Sequence, residues 1–381
     1  MNDSAMNPAI IYLYPTEKRF QDNIRRWQGI PSIEVTRRGR IFINFYAGQE
    51  AEVGGNFMVL CISDDGGAHF HSCVAVVEHP DPECRIYDPC LWIDPRQRLW
   101  MTWTQAKGFN DGRSGVWASL CDDPDAELLT FSPPRRIANG IMMNKPIVAS
   151  NGDWLFPCAL WCHTCGSIPT EDHGLSNEQF PNVYASQDEG ETISLRGHAD
   201  IPNRSFDEHM LLEKKDHTLW MLSRTFDGIG ESFSKDFGYT WEPGRRSPID
   251  GPCSRFHITR LKSGRILLVN HHDFSERIQL DDIMSQGNVK RWKGRSHLTA
   301  LLSEDDGKTW PYSLLLDERN EVSYPDAKEG EDGYLYVVYD HERVTCREIL
   351  MARFTEKDIL AGSCQNSKSR LKLLVNRATG Q

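Results

Sequence analysis

Short apolar runs, separated by turns rich in Gly, Asp, Asn and Ser, recur along nearly the whole chain. Examples are Ile41-Phe42-Ile43-Asn44-Phe45-Tyr46 and Tyr334-Leu335-Tyr336-Val337-Val338-Tyr339. Runs of this length, rich in β-branched and aromatic residues, predict β-strands. No long stretch shows the sustained 3.6-residue period of an amphipathic helix. We therefore predict an all-β protein in which helix is confined to small connections.

One eight-residue pattern occurs four times: Ser-x-Asp, a nearby Gly and a terminal aromatic or aliphatic residue. The copies occupy residues 63–70, 186–193, 234–241 and 303–310, and the last one reads Ser303-Glu304-Asp305-Asp306-Gly307-Lys308-Thr309-Trp310. Each copy is an Asp-box. In this motif Ser and Asp hydrogen-bond the backbone of a tight turn, Gly adopts a positive φ, and the terminal side chain anchors the turn. The motif stabilises hairpins and carries out no chemistry.

Four Asp-boxes indicate a radial array of similar units, because one such unit cannot bury both of its faces alone. If each box joins the third and fourth strands of a blade, the chain forms a six-bladed β-propeller, with five or seven blades as the alternatives. The hairpin of the second blade, near Asp122-Asp123, lacks the motif. The sixth blade is short of one strand, which an N-terminal strand at about residues 9–15 is predicted to supply. The predicted propeller covers residues 1–365, and the basic, serine-containing residues 366–381 form a tail.

Length and charge narrow the class of protein. A chain of 381 residues with 39% hydrophobic content can bury one large core. The formal net charge of −11 argues against nucleic acid or an anionic membrane as a partner, because either would require a basic face. No apolar run is long enough to cross a bilayer, and the N-terminal residues do not resemble a signal peptide. We therefore expect a cytoplasmic protein.

The cysteines favour a reduced protein without a metal site. They number 11, and several lie in apolar strand-like runs, as Cys61, Cys90 and Cys158 do. This usage is typical of buried thiols in cytosolic proteins. Cys162-His163-Thr164-Cys165 has metal-like spacing, but no second Cys or His pair accompanies it, and zinc normally takes four ligands. We predict no metal and no cofactor.

In a propeller, loops at one end of the central channel gather residues from every blade. Charged and aromatic residues are concentrated in inter-blade segments at 27–34, 204–210, 223–228, 293–298 and 322–326. Glu208 stands between Asp207 and His209, and three adjacent titratable residues are typical of an acid–base site, where imidazole can carry protons near neutral pH. A polar loop at Glu208 is the structural alternative. Lys145 and Asp88 also open blades and are candidates for the channel mouth.

The order of these segments and the Asp-boxes resembles the sialidase (neuraminidase) superfamily. Gly29-Ile30-Pro31-Ser32 stands where that family has an Arg-Ile-Pro motif before the first box. Glu208 precedes Arg224, which leads into the third box. A further arginine, Arg295, precedes the next box, and Tyr324 follows it. The resemblance covers roughly residues 27–340.

The resemblance implies a retaining glycoside hydrolase that acts on a glycan with a terminal, carboxylate-bearing sugar. Arg224 and Arg295 would bind the sugar carboxylate, since a guanidinium forms bidentate, charge-assisted hydrogen bonds. Tyr324 would be the nucleophile and Glu208 would take its proton, because a carboxylate nucleophile would be repelled by the substrate carboxylate. Surface ion pairs for the two arginines and a packed aromatic ring for Tyr324 are the structural alternatives.

The chain departs from the family pattern at two positions. The first arginine of the family is Gly29 here, and the sequence offers four possible replacements: Arg26, Arg85, Arg204 and Arg255. The loop at residues 48–56 has no Asp for the acid/base role, so Glu50 or Glu52 is predicted to transfer the proton. Gln28 in the first segment, with Asp88 and Lys145, completes the predicted substrate-binding set.

Two other functions remain open at this stage. The first is a polysaccharide lyase, in which Tyr324 or His209 removes the proton α to a uronate carboxylate that an arginine neutralises. The second is a propeller that binds sugars without catalysis. For the hydrolase, the regions of Trp27 and Trp161 are candidates for a surface on which a sugar ring stacks.

Overall fold

The computed structural model describes residues 4–108, 111, 113–161, 173–272 and 294–381. These residues form six antiparallel sheets that follow one another along the chain. The first sheet has five strands and the other five sheets have four each. The prediction of an all-β, six-bladed β-propeller is confirmed.

The strands are numbered in chain order. Blade one contains β1 (Ile10–Leu13), β2 (Trp27–Val35), β3 (Ile41–Gly48), β4 (Phe57–Ser63) and β5 (His71–Glu78), and blade two contains β6 (Cys84–Ile93), β7 (Leu99–Lys107), β8 (Gly115–Cys121) and β9 (Arg135–Asn139). Blade three contains β10 (Ile147–Val148), β11 (Trp154–Ala159), β12 (Pro181–Ser186) and β13 (Ser194–His198), and blade four contains β14 (Arg204–Glu213), β15 (Leu219–Thr225), β16 (Gly228–Ser234) and β17 (Arg245–Arg246). Blade five contains β18 (His257–Arg260), β19 (Ile266–His271), β20 (Leu298–Ser303) and β21 (Tyr312–Asp317), and blade six contains β22 (Val322–Glu329), β23 (Leu335–His341), β24 (Glu348–Phe354) and β25 (Arg370–Arg377).

In the described residues, helix is confined to short connections. The α-helix α1 (Glu356–Ala361) lies between β24 and β25, and 3₁₀ turns occupy Ser4–Met6, Lys18–Phe20 and Ser176–Glu178. Within the described ranges, none of the helices is long and apolar enough to cross a membrane.

The Asp-boxes join the last two strands of the four-stranded unit in blades one, three, four and five, as predicted from their spacing. In the first box, Ser63 Oγ donates to Asp65 Oδ1 at 2.8 Å and accepts from the Gly67 amide at 3.0 Å. Gly67 has a φ of 90°, a conformation that favours glycine. The motif therefore fixes hairpin turns in the way that its sequence indicates.

The two chain ends differ from the prediction. β1 pairs with β5 at the outer edge of blade one, with Ile10 opposite Glu78, so it does not complete the sixth blade. The strand missing from blade six is β25, which lies in the supposed tail. Within β25, Leu371, Leu373 and Val375 share one face of the strand and pack against the core. Its basic side chains mark the solvent face of an edge strand, because successive side chains alternate between two faces.

The ring closes where blade six meets blade one. Within the described residues neither end of the chain contributes a strand to the sheet formed by the other end. One continuous core instead spans the junction, with Ile33 and Phe45 of blade one buried together with Tyr336, Val338 and Met351 of blade six. Each fully buried side chain of this size contributes about 1.5–3 kcal/mol, so the apolar junction itself holds the ring closed.

Candidate active site

The innermost strands of four blades are interrupted at equivalent points. The register shifts between Gly29 and Ser32 in β2, Tyr87 and Cys90 in β6, Asp207 and Met210 in β14, and Ser323 and Asp326 in β22. Ile30, Asp88, Glu208 and Tyr324 stand at these shifts with φ values of 57°, 47°, 45° and 55°. Positive φ is uncommon outside glycine, and a β-bulge changes the direction of a side chain. All four side chains line one cavity.

This cavity has a volume of about 470 Å³, which lies in the range of small-molecule sites. Its ionisable lining residues are Glu52, Asp88, Glu208, Arg224, Arg295, Glu321 and Arg343. Its other lining residues are Trp27, Ile30, Met143, Trp161, Phe206, Ser323, Tyr324, Val344 and Thr345. The cavity therefore combines ionic groups with aromatic and aliphatic surface, which is the composition of a site for a polar ligand with an apolar face.

Tyr324, Glu208 and Arg224 form a closed triangle of hydrogen bonds at this cavity. The Tyr324 hydroxyl donates to Glu208 Oε1 at 2.9 Å. Arg224 Nη1 donates to the same carboxylate oxygen at 2.6 Å and to Tyr324 Oη at 2.9 Å. All three side chains are buried. The predicted nucleophile, base and arginine are thus brought together from blades four and six.

The electrostatic surroundings keep the Tyr324 phenol protonated in the ligand-free protein. Burial raises the pKa of Tyr324 to about 12, and the charge of Glu208 acts in the same direction. Arg224, Arg295 and Arg343 oppose the rise in this pKa. A phenolate therefore forms only when the proton is transferred, and Glu208 Oε1 is the acceptor already hydrogen-bonded to it.

Three guanidinium groups surround Tyr324. Arg295 and Arg343 lie 5.4 and 4.3 Å from the centre of its ring, and Arg295 Nη2 donates to the Cys253 carbonyl at 3.1 Å. Arg224 and Arg295 were predicted from the sequence, whereas Arg343 was not. A guanidinium cluster of this kind suits a carboxylate ligand, because each planar fork can donate two parallel hydrogen bonds.

Gly29 makes room for Arg343. A Cβ atom at Gly29 would lie 2.4 Å from Arg343 Cδ and 2.8 Å from Arg343 Cγ. The position at which the sialidase pattern has an arginine is therefore crossed by an arginine of blade six. Arg26 instead pairs with exposed Glu50, and Arg85 stacks on Tyr87 at 3.7 Å, behind the described lining.

Of the two glutamates predicted as the acid/base, the structure brings only Glu52 to the cavity. Glu52 Oε1 accepts from Arg343 Nη1 at 3.1 Å, and Glu52 Oε2 lies 3.9 Å from Arg85 Nη1. The side chain of Glu50 is 72% exposed and bonded to Arg26 Nη2 at 2.7 Å. The suggestion of Glu50 is corrected, because its side chain lies on the outer surface of the loop.

Asp88 was predicted to bind substrate, and the structure gives it the properties of an acid. It is 2% exposed, and burial raises its pKa to about 8. Arg85 opposes this rise in the pKa, whereas the charges of Glu52 and Glu208 add to it. Asp88 therefore carries a proton at neutral pH and faces the same cavity as the nucleophile.

Asp207 and His209 are not among the described residues that line the cavity. Asp207 lies 3.5 Å from Arg204 Nη1, and Arg204 also stacks on Phe180 at 5.0 Å. His209 Nε2 donates to the Asn182 carbonyl at 2.8 Å, and burial lowers the pKa of His209 to about 4. Asp207 and Glu208 have φ values of 53° and 45° within the bulge, and the contacts of the Asp207 and His209 side chains lie outside the described lining of the cavity. The proposed acid–base roles of Asp207 and His209, and substrate binding by Arg204, are corrected accordingly.

Two more predicted ligand-binding residues, Arg255 and Gln28, hold the blades together and do not line the described cavity. Arg255 donates to Asn144 Oδ1 at 2.7 Å and to the carbonyls of Pro31 and Met143 at 3.1 and 2.8 Å. Gln28 Nε2 donates to the Arg347 carbonyl at 2.8 Å. Both side chains are fully buried, and their N–H groups donate to acceptors of other blades. The predicted substrate-binding roles of Arg255 and Gln28 are corrected, because these hydrogen bonds serve the scaffold.

Lys145 lines a second cavity, which has a volume of about 740 Å³. Its ammonium group contacts Glu34 Oε1 at 3.3 Å and Asp326 Oδ2 at 2.9 Å. It also donates to the carbonyls of Ile33 and Leu91 at 2.6 and 2.7 Å. Lys145 is therefore engaged in a buried charge network and does not line the cavity that holds Tyr324 in the described structure.

Potential metal ligands are grouped at one place in the described ranges, His341, Glu342 and Cys346. His341 Nδ1 already contacts Glu348 Oε2 at 2.8 Å, and Cys346 Sγ donates to Glu342 Oε2 at 3.0 Å. These contacts explain the grouping without an ion. The Cys162-His163-Thr164-Cys165 segment lies outside the described residues.

Comparisons with solved structures show the same fold at low sequence identity. A Hadza microbial sialidase matches with a TM-score of 0.65 and 16% identity over 87% of this chain and 66% of its own length. The intramolecular trans-sialidase from Ruminococcus gnavus, solved with oseltamivir carboxylate, matches with a TM-score of 0.63 and 12% identity over 91% of this chain and 98% of its own. A protein of unknown function from Dyadobacter fermentans matches with a TM-score of 0.61 and 16% identity, covering 89% of this chain and 94% of its own.

Comparison with sequence families shows which family the chain belongs to. No curated protein sequence matches it at a significant level. The family model of the BNR repeat-like domain matches residues 42–337, which is most of the propeller. The chain therefore belongs to the BNR repeat-like domain family and has the six-bladed β-propeller of the sialidase superfamily.

Proposed function

We propose that this protein is a retaining glycoside hydrolase of sialidase type that removes a terminal, carboxylate-bearing sugar from a glycan. The sugar is sialic acid or a related acidic sugar. The observation that carries the proposal is the buried hydrogen-bonded triangle of Tyr324, Glu208 and Arg224 at a cavity that also contains Arg295 and Arg343. The sialidases among the structural neighbours support the choice of reaction class.

In the first half of the reaction, Tyr324 Oη attacks the anomeric carbon while its proton passes to Glu208 Oε1. The bond from the anomeric carbon to the leaving oxygen breaks, and Asp88 donates a proton to that oxygen. A covalent glycosyl–tyrosine intermediate results, with the sugar carboxylate held by the guanidinium groups. A neutral phenol is suited to this attack because it does not repel the substrate carboxylate before the proton leaves.

In the second half, Asp88 takes a proton from a water molecule, which attacks the anomeric carbon and releases the sugar from Tyr324. The proton on Glu208 then returns to Tyr324 Oη, so both carboxyl groups and the phenol regain their initial states. Glu52, predicted from the sequence as the acid/base, lines the same cavity and is the alternative donor. Its carboxylate is already paired with Arg343, which favours a role in positioning that arginine.

The experiment that tests the proposal is a screen of the purified protein on fluorogenic glycosides of sialic acid, its deaminated analogue and uronic acids. We expect release of the fluorophore from at least one acidic sugar, and loss of release in Tyr324→Phe. Tyr336→Phe is the matched control, because its hydroxyl bonds Asp332 away from the described lining of the cavity. An unsaturated, ultraviolet-absorbing product would indicate a lyase. Inactivity on every acidic sugar would contradict the proposal.

A further inference from the structure

Two buried carboxylates of blade six receive hydrogen bonds from blade one at the ring junction. Asp326 Oδ2 accepts from Ser32 Oγ at 2.6 Å and from the Ile33 amide at 2.9 Å. Asp340 Oδ2 accepts from the Ile30 amide at 2.8 Å. Both aspartates are fully buried. They join β2 of the first blade to β22 and β23 of the last one.

Asp340 differs from Asp326 because it also contacts Ser323 and Arg343. Its Oδ1 accepts from Ser323 Oγ at 2.6 Å, and Ser323 immediately precedes Tyr324. Its Oδ2 lies 2.9 Å from Arg343 Nε. Arg343 Nη2 also donates to Ser323 Oγ at 3.3 Å, which closes a small network around the bulge that carries Tyr324. One carboxylate therefore fixes the backbone beside the nucleophile and the guanidinium over its ring.

The packing around this network leaves little room for Asp340 and Arg343 to move. The stem of Arg343 crosses Gly29, and a Cβ atom there would also lie 3.0 Å from Asp340 Oδ2. Beyond its bond to Asp340, Arg343 reaches Glu52 at 3.1 Å and lies 4.3 Å from the centre of the Tyr324 ring. A displacement of Asp340 would thus move Arg343 and the bulge at Tyr324 together.

We propose that Asp340 is the positioning residue of the active site, through which closure of the ring between blades one and six sets the places of Tyr324 and Arg343. Asp340 is not among the described residues that line the cavity, so it acts through these neighbours. The kinetic consequence rests on the proposed hydrolase function, whereas the structural consequence does not. If the contacts of Asp340 between blades one and six were lost, all six blades could still form, but the active site would be inactive.

The charge on Asp340 and its geometry have separable effects. Asp340→Asn can still accept from Ile30 and Arg343 through its carbonyl oxygen and donate to Ser323 Oγ through its amide, so it retains the connections without the charge. Asp340→Ala removes every connection. Asp326→Asn is the matched control, because it alters a buried carboxylate at the same junction, and its described contacts do not include Ser323 or Arg343.

The first arm of the test is crystallography of the ligand-free proteins, which requires no activity. In Asp340→Ala we expect Arg343 to leave the Tyr324 ring and the hydrogen bond from Tyr324 to Glu208 to lengthen, while Asp326→Asn retains both. If Asp340→Ala does not fold, Asp340→Ser serves in its place, because its shorter side chain also loses the contacts with the Ile30 amide and Arg343, and a displacement of Arg343 is again expected. Asp340→Asn, which keeps the connections, should retain both positions. Unchanged positions of Tyr324 and Arg343 in folded Asp340→Ala or Asp340→Ser would overturn the proposal.

The second arm measures kcat and KM on the acidic sugar that the wild-type protein hydrolyses. We expect Asp340→Ala to lower kcat/KM by about 10–100-fold, since small misplacements of reacting groups have effects of this size, with substantial recovery in Asp340→Asn. Arg343→Met and the double variant Asp340→Ala/Arg343→Met should be non-additive, because one residue acts through the other. Additive effects, or an equal loss in Asp326→Asn, would overturn the positioning role. Lack of turnover by the wild type would contradict the proposed function. The positioning role of Asp340 would then be tested by the crystal structures alone.

Discussion

The stem of Arg343 passes over Gly29 so closely that a methyl group on Gly29 would stand 2.4 Å from Arg343 Cδ. Gly29 belongs to blade one and Arg343 to the hairpin between β23 and β24 of blade six. The contact therefore exists only when the ring is closed. It explains why the chain has a glycine at the point where the sialidase pattern has an arginine, and how a guanidinium group still reaches the cavity.

Gly29→Ala should displace Arg343. We expect a loss of about 1–3 kcal/mol in the free energy of unfolding, as for other overpacked sites, together with a lower kcat/KM on the acidic substrate. Urea unfolding and steady-state kinetics measure the two effects. In an Arg343→Ala background the two closest atoms are gone and only Asp340 Oδ2, at 3.0 Å, stays near, so Gly29→Ala should then cost much less stability. A full penalty in that background would show that the contact with Arg343 is not the cause.

The sequence contains a signal for the bulges of the inner strands that the prediction did not use. Ile30, Asp88 and Tyr324 each precede a proline, and a proline lacks the N–H that a strand ladder requires. Three cavity residues therefore share one local signal. Glu208 has no proline after it, and it was predicted from its titratable neighbours Asp207 and His209 and from the family resemblance.

Other features required the three-dimensional structure. Arg343 lies in an ordinary hairpin, and Gly29 becomes informative only when the residue that crosses it is known. β25 was taken for a tail because its basic residues masked the alternation of Leu371, Leu373 and Val375. Burial, with the charges of Glu52 and Glu208, raises the pKa of Asp88, and these surroundings are not visible in the Asp-Pro dipeptide alone.

Asp88 should control the alkaline side of the pH profile. With a pKa of about 8, it loses its proton as the pH rises through that value, so kcat/KM of the wild type should fall above about pH 8. Asp88→Asn should lower kcat/KM by about 10²–10⁴-fold at neutral pH and abolish this dependence. Asp207→Asn, a buried carboxyl outside the described lining, is the control. An unchanged alkaline limb in Asp88→Asn would exclude Asp88 as the acid.

The raised pKa of Asp88 also affects stability. Between about pH 4 and 8 the native protein retains a proton that the unfolded chain has lost, so this group lowers the stability as the pH rises through that window. Asp88→Asn should remove that contribution. Its stability relative to wild type should therefore increase from pH 5 to pH 8 in urea unfolding experiments, and a constant difference would contradict the protonated state.

Glu52 and Glu50 form a matched pair of neighbouring glutamates. Glu52→Gln weakens a charged hydrogen bond to Arg343, an interaction worth about 1.5–3 kcal/mol, so kcat/KM should fall by about 10–100-fold. Glu50→Gln changes only an exposed contact with Arg26 and should be close to wild type. Equal losses in both variants on the same substrate would argue that the loop acts as a whole.

His209 should make the protein sensitive to acid. Its pKa is lowered from 6.5 to about 4, so between these values the unfolded chain binds a proton that the native protein does not. Stability should therefore fall as the pH drops from 6.5 to 4. His209→Gln should reduce the slope by about 1.4 kcal/mol per pH unit in urea titrations, whereas substitution of the exposed His297 should not. An unaltered slope in His209→Gln would show that His209 is protonated in the native state.

The proposed mechanism requires Tyr324 Oη to be the nucleophile that attacks the anomeric carbon of the sugar. The most direct measurement is mass spectrometry of the protein after reaction with a fluorinated sialosyl fluoride, a substrate whose glycosyl–enzyme intermediate is hydrolysed slowly. We expect the peptide that contains Tyr324 to gain the mass of one fluorinated sugar, and Tyr324→Phe to gain none. Turnover without an adduct, or an adduct on Glu208 or Asp88, would contradict the account.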